Sequence, residues 1–118
     1  MAFPIVELGG SREKPKGVKL TTTDPTTIMS GPVSGFLTLE SLRYSCDGTP
    51  TDLSLWVTDG TTSWFLMKDY AVAANDLEPP IEDHIVLKTG WSLRAQASNA
   101  NQIDILAVFI VSGQGSTA

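Results

Sequence analysis

The last third of the chain carries the pattern that most restricts its possible folds. Apolar and polar side chains alternate strictly over residues 91–97, which is the period of two of a half-buried β-strand. Residues 102–111 alternate in the same way up to Asp104, and beyond it both faces of the run are apolar. A strand that is apolar on both sides is usually covered on both sides. We therefore predict that the two runs form a hairpin around the polar residues 98–101, at the centre of an antiparallel β core.

Strand-like runs and turn signals alternate along the rest of the chain, at spacings of roughly 8–12 residues. This pattern predicts strands over residues 16–23, 26–30, 33–46, 53–58, 63–68 and 85–87. The alternation changes phase beside Glu40 and Ser41, which predicts a β-bulge there, and Asp59–Gly60 predicts a hairpin turn. The sequence thus predicts an all-β protein with a single antiparallel β-sandwich or jelly-roll domain of about eight strands.

The two termini lack this periodicity. Residues 1–15 mix proline, glycine and charged residues, which predicts an extended N-terminal arm, and residues 112–118 are small and polar, which predicts a flexible tail. The β-sandwich domain would then span residues 16–111. The arm nevertheless carries four apolar side chains, those of Phe3, Ile5, Val6 and Leu8. They indicate that the arm adheres to its own domain or to a neighbouring subunit, and a frayed terminus is the alternative.

The charges are distributed unevenly within a net charge of −5. Residues 1–19 carry four basic and two acidic side chains, a balance of +2, whereas residues 20–118 carry four basic and eleven acidic side chains, a balance of −7. An acidic body repels phosphate backbones, so nucleic acid is not an expected partner. The basic segment, which includes Arg12 and Lys14, would instead suit an acidic protein surface or simply be solvated.

No combination of residues matches a catalytic or metal-binding motif. Cys46 is the single cysteine, lies in a strand-like run and is expected to be a small buried side chain. His84 is the single histidine and has no cysteine near it, so a zinc site is not expected. The acidic residues of the turns lack the spacing of a calcium-binding loop. We therefore expect a protein that is not an enzyme and that carries no cofactor or metal.

The apolar segments are too short for a membrane helix. The longest apolar stretch covers residues 105–111, far fewer than the ~20 residues that a spanning helix needs. The first residues lack the basic start and long apolar run of a secretory signal. We expect a soluble protein without a membrane partner.

Two tryptophans form a candidate binding surface. Trp56 alternates with Leu53, Leu55 and Val57, and Trp64 begins the next predicted strand. If both indoles faced solvent, they would form a platform for a sugar ring or for the apolar patch of another protein. Burial of both rings against a second sheet is the alternative.

The order of these segments resembles that of a known group of proteins. The matching segments are Gly35–Tyr44, Leu53–Gly60, Ser63–Met67, Ile85–Gly90 and Trp91–Ile105. With a phrase similar to Lys88–Asn101 ahead of the final strand, they resemble the small β-sandwich virion structural proteins of tailed bacteriophages. The resemblance covers residues 17–111 and consists of β-strand phrases, not of a catalytic signature.

This resemblance implies a structural role in the virion, on the capsid surface after assembly in the host cytoplasm. The protein would be a capsid decoration, or cement, protein that binds the major capsid protein and bridges capsomers. A tail fibre, collar or adaptor component is the alternative within the virion, and a carbohydrate-binding β-sandwich module is the alternative outside it. Closed symmetric oligomers are common in such settings, and we expect a homotrimer at a three-fold position. The expected partner-binding residues are Phe3, Ile5, Val6, Leu8, Arg12, Lys14, Trp56 and Trp64.

Overall fold

Eight β-strands account for most of the described chain. This computed structural model describes residues 13–75, 81 and 84–112. The strands are β1 (Glu13–Leu20), β2 (Thr26–Ser30), β3 (Phe36–Cys46), β4 (Thr51–Thr58), β5 (Ser63–Val72), β6 (Ile85–Leu87), β7 (Ser92–Ala97) and β8 (Ile103–Ser112). Within these described ranges there is no helix of the length and apolar character that a bilayer crossing requires.

The strands form two antiparallel sheets of four strands each. Sheet A has the order β1-β8-β3-β6, and sheet B has the order β2-β7-β4-β5. Among the described strands, only β4 and β5 are consecutive in the chain and lie in the same sheet, so the other connections between described strands cross from one sheet to the other. This is the strand order of an eight-stranded jelly roll. The prediction of an all-β, antiparallel sandwich or jelly roll is therefore confirmed.

The predicted hairpin between the last two strands is wrong. β7 pairs with β2 and β4 in sheet B, whereas β8 pairs with β1 and β3 in sheet A. The connecting residues 98–102 therefore arch between sheets, and the inner faces of the two strands meet across the core. An alternation with period two looks the same whether two strands pair side by side or face each other. The hairpin at Asp59–Gly60, by contrast, joins β4 to β5 as predicted.

The core lies between the sheets and is built from the alternating apolar side chains. Along β8, every second residue from Ile103 to Phe109 is buried, and Phe109 is fully buried. Cys46 is buried as predicted, and its thiol donates a hydrogen bond to the Thr49 carbonyl oxygen at 3.0 Å. The core thus uses one of the two apolar faces that the alternation in the sequence distinguishes.

Two details of strand pairing depend on neighbouring strands. The register of β3 on β8 shifts between Leu39 and Ser41, which confirms the predicted bulge. β1 begins at Glu13, so residues 13–15 pair with β8 although the sequence pattern places them in the arm. Pro15 fits there because β1 is an edge strand, where a missing N–H leaves no gap in the sheet.

The connections divide between the two ends of the sandwich. The arch end carries the connections 21–25, 47–50 and 98–102, and the hairpin end carries the connections 31–35, 59–62 and 88–91. At the arch end, the backbone N–H of Asp47 donates to the Gln102 carbonyl oxygen at 2.7 Å. At the hairpin end, the N–H of Gly31 donates to the Trp91 carbonyl oxygen at 2.7 Å. Backbone hydrogen bonds therefore join loops that are distant in sequence at both ends.

Candidate interaction surfaces

Trp56 does not form an exposed platform. Its side chain faces outward from sheet B, but only 8% of the residue is exposed. The ring of Phe65, its partner on β5, packs on it with ring centroids 5.4 Å apart, and Arg94 is its partner on β7. The Phe65 ring thus covers part of the indole. Of the two alternatives that the sequence left open for the indoles, burial therefore holds for Trp56.

Trp64 lies on the opposite side of the sheet and is half-exposed. It pairs with Val57, whose side chain belongs to the core, and 45% of Trp64 is exposed. Its ring stacks on that of Trp91, with centroids 5.0 Å apart and planes 15° from parallel. The ammonium group of Lys88 lies 5.7 Å from the centroid of the Trp91 ring. The sequence pattern placed Trp91 in the strand-like run 91–97 but did not indicate it as part of a binding surface.

The stacked indoles border an apolar groove of about 180 Å³, here named the indole groove. Its lining residues are Val57, Trp64, Leu66, Ile85, Val86 and Trp91. The groove lies between β5 and β6, the edge strands of the two sheets on the same side of the sandwich. It therefore offers apolar surface next to two strand edges.

A second, polar groove of about 300 Å³ opens near the arch end of sheet B. Its lining residues are Thr23, Asp52, Ser54, Asp69, Gln96, Ala97 and Ser98. The hydroxyl of Ser54 accepts a hydrogen bond from the N–H of Asp69 at 2.9 Å and donates one to the Asp69 carboxylate at 3.4 Å. These groups satisfy each other and hold Asp69 in a left-handed backbone conformation, with φ 50°.

The described part of the chain contains no cluster of three or more metal-ligating side chains. His84 is exposed, and its Nε2 lies 3.9 Å from the Glu40 carboxylate. The hydrogen bond to Asp104 raises the pKa of Lys19, and the two groups form an exposed ion pair at 2.9 Å. Hydrogen bonds from the backbone N–H groups of Thr62 and Thr61 lower the pKa of Asp59 in the β4–β5 turn.

The outward side of sheet A carries several exposed apolar side chains. The second apolar side of β8 faces outward here, with Leu106 51% exposed and Val108 and Ile110 partly buried. Phe36 on β3 and Val86 on β6 are 44% and 41% exposed. We name these five residues the apolar face. The sequence pattern showed that both sides of β8 are apolar, and one of those sides lacks a cover within the described chain.

The predicted arm anchors fall mostly outside the described residues. Phe3, Ile5, Val6, Leu8 and Arg12 lie there, and their role stays a prediction. Lys14 is exposed on edge strand β1, in register with Phe109.

Fold and surfaces together define an eight-stranded jelly-roll protein with an exposed apolar face and an apolar groove. No protein-family model matches the sequence, and no curated protein matches it. In structure, the chain is similar to a pentameric capsid protein isolated from metagenomic phage sequences, with TM-score 0.53 and 23% identity in each of two crystal structures. The match covers 93% of this chain and 63% of that protein in one structure, and 65% of it in the other. The structure of infectious bursal disease virus, Gx strain, matches with TM-score 0.47 and 15% identity over 87% of this chain and 34% of that one.

Proposed function

We propose that the chain is a non-enzymatic structural protein of a bacteriophage virion, a decoration or cement protein that binds the surface of the capsid. The observation that carries this proposal is the jelly-roll fold, with its similarity to a pentameric phage capsid protein. Jelly rolls recur in viral capsid domains. Because one fold serves many functions, the proposal also rests on the surfaces of this chain.

The surfaces support binding to other proteins. Single apolar residues are common on protein surfaces, but contiguous exposed apolar patches mark interaction sites. The apolar face is such a patch, since Leu106, Val108 and Ile110 follow one another on the same side of one strand.

The N-terminal arm is the proposed clasp. Phe3 and Leu8 are apolar, and the arm precedes edge strand β1 at the hairpin end. An arm that becomes ordered on a neighbouring capsomer would supply reach and apolar anchors, at the entropic cost of ordering. Arg12 and Lys14 would add contacts with acidic groups.

A binding experiment with empty phage capsids tests this proposal. The deletion should remove residues 1–12 only, because residues 13–15 belong to β1. The intact chain is expected to co-sediment with the capsids and to raise their melting temperature, and the deletion is expected to reduce occupancy at least tenfold. Removal of residues 113–118 is the matched control and should leave binding unchanged. Capsids that bind neither form would overturn the decoration role, and unchanged occupancy after the arm deletion would remove the arm from it.

The number of copies per particle distinguishes a capsid decoration protein from a tail component. A decoration protein is expected in hundreds of copies per particle, whereas a fibre, collar or adaptor component would occur in a handful to dozens. Quantitative mass spectrometry of purified particles measures this number. The homotrimer remains the proposed assembly on the capsid, and native mass spectrometry of the released protein tests it.

A carbohydrate-binding module is the second candidate because of one observation. The Trp64 ring is half-exposed and stacks on Trp91 beside the indole groove, and an exposed aromatic ring is suited to stacking on a sugar ring. This function predicts a change in tryptophan fluorescence on titration with glycans, and the loss of that change in Trp64→Ala. Phe36→Ala is the control, because Phe36 is similarly exposed and lies on sheet A, where it does not line the indole groove.

A further inference from the structure

The apolar face has a shape that suits contact with a flat surface. Leu106, Val108 and Ile110 form its ridge along β8. On one flank, Pro15 and Gly17 of β1 pair with Val108 and Leu106, so no long side chain rises beside the ridge. On the other flank, a shallow cavity of about 170 Å³ opens between Arg43 and Leu106. A second sheet can therefore approach this side closely.

The charges around the ridge are ordered along the strands. On β1, Glu13 lies at the level of Ile110 and Lys19 at the level of Asp104. On β3, Glu40 lies in the bulge next to the level of Val108, and Arg43 lies at the level of Leu106. Each flank therefore carries an acidic side chain toward the hairpin end and a basic one toward the arch end. Because Lys19 already forms an ion pair with Asp104, this contrast is stronger on the β3 flank than on the β1 flank.

We propose that this face binds the same face of a second copy of the chain. The two copies are related by a two-fold axis that lies in the plane of the contact and runs perpendicular to the strands. The axis passes between Leu106 and Val108, so that each of these residues lies over the other in the second copy. This operation brings the basic half of each flank over the acidic half of the same flank in the partner. Rotation about an axis parallel to the strands would instead place Glu13 over the flank that carries Glu40, so that two acidic groups would lie near each other.

The same two-fold rotation also brings individual residues of opposite charge to face each other. With the axis between Leu106 and Val108, the level of Asp104 lies opposite the level of Ile110, so Lys19 faces Glu13 of the second copy. The level of Leu106 lies opposite that of Val108, so Arg43 faces the bulge that carries Glu40. An isologous contact of this kind makes each complementary pair twice. Two sheets packed face to face lie about 10 Å apart, which allows their side chains to interdigitate.

The mass in solution tests the contact, independently of any capsid. Light scattering over a concentration series should give twice the 12.6 kDa of one chain, or an even multiple of it if the proposed trimer also forms. Leu106→Lys should abolish the pairing. Phe65→Lys should leave it intact, because Phe65 is about as exposed as Leu106 but lies on sheet B. Circular dichroism and melting curves check that both variants fold. A mass of one, three or five chains at every concentration, or pairing that survives Leu106→Lys, would overturn the proposal.

Charge reversal tests the direction of the two-fold axis. Arg43→Glu places two acidic groups opposite each other in the pair, and Glu40→Lys places two basic groups there, so each variant alone should associate at least tenfold more weakly. An equimolar mixture of the two variants should regain pairing, since opposite charges then face each other at both sites. The recovery should fall with added salt. A mixture that pairs no better than either variant alone would exclude this arrangement of the two copies.

The measurement of pairing and the measurement of capsid binding test the two proposals separately. The deletion of residues 1–12 leaves the five residues of the apolar face unchanged, and Leu106→Lys leaves the arm unchanged. Loss of pairing in Leu106→Lys with retained capsid binding would support this contact alone. Capsid binding that fails while the wild-type chain still pairs would reject the proposed function alone.

Discussion

The rings of Trp64 and Trp91 stack 5.0 Å apart and join the start of β5 to the residue before β7, which lies on the far side of β4. The stack borders the indole groove. Offset-stacked aromatic pairs contribute about 0.5–1.5 kcal/mol beyond their buried area. We expect a double-mutant cycle of Trp64→Ala and Trp91→Ala to give a coupling energy in that range, measured by urea unfolding.

The control for this cycle pairs Trp91→Ala with Leu106→Ala. Leu106 is about as exposed as Trp64 but faces outward from sheet A. Its coupling to Trp91 should be near zero. An equal coupling in both cycles would mean that the effect reflects a general loss of folding, and that the stack itself contributes little.

Phe109 should be the most sensitive aromatic position in the chain. It is fully buried at the centre of β8, whereas Phe36 on the neighbouring strand β3 is 44% exposed. Phe109→Ala should lower the free energy of unfolding by about 3–5 kcal/mol, because it removes buried apolar area and leaves a cavity. Phe36→Ala should have a much smaller effect. Guanidinium unfolding of both variants measures the difference, with the midpoint and the denaturant dependence of the unfolding free energy compared for each. Equal losses of unfolding free energy in the two variants would contradict the assigned core.

Gly31 should not tolerate any side chain. A Cβ atom there would collide with the carbonyl oxygen of Lys88, and the N–H of Gly31 donates to the carbonyl oxygen of Trp91. Gly31→Ala should therefore separate the two loops at the hairpin end and destabilise the fold by about 1–3 kcal/mol. Gly48→Ala is the matched control, since a Cβ at Gly48 meets nothing within 4 Å. Thermal melts of the two variants should differ clearly, and similar melting temperatures would show that the loops adapt at little cost.

Asp59 should make the β4–β5 turn sensitive to acid. Its carboxylate accepts hydrogen bonds from the N–H groups of Thr62 at 2.8 Å and Thr61 at 2.9 Å, which lower its pKa in the folded state. A folded-state pKa below the unfolded one contributes stability above the unfolded pKa, and this contribution is lost as the pH falls through the folded pKa. The stability difference between the wild type and Asp59→Asn should therefore shrink as the pH falls below about 4. Melting temperatures measured from neutral to acidic pH test this, and a difference that stays constant would contradict it.

The sequence pattern was sufficient for local structure. β2 and β6 have the predicted bounds, and the bulge at Glu40–Ser41 and the turn at Asp59–Gly60 occur where the pattern places them. These features depend on the conformations of a few adjacent residues, so the local sequence contains the necessary information. The start of β1 differs because residues 13–15 become a strand only where β8 offers a partner.

Which side chains are exposed to solvent could be determined only from the three-dimensional arrangement of the strands. Trp56 and Trp64 have similar sequence surroundings, yet Trp56 is covered by Phe65 and Trp64 is not covered to the same extent. The cover comes from neighbouring strands, and the pairing partners of a strand cannot be deduced from its own alternation. The apolar face illustrates the same limit, because the pattern showed two apolar sides of β8 without showing which one the core would use.

The sequence by itself determined that this is an all-β protein, which residues alternate between faces, and where the chain turns, because these properties arise from backbone preferences and the period of two. Only the tertiary structure decided that β7 and β8 lie in opposite sheets, that Trp64 stacks on Trp91, and that one side of β8 is left exposed. The physical reason is that strand pairing and face-to-face packing bury the same apolar residues. The choice between them depends on contacts among segments that are far apart in the chain.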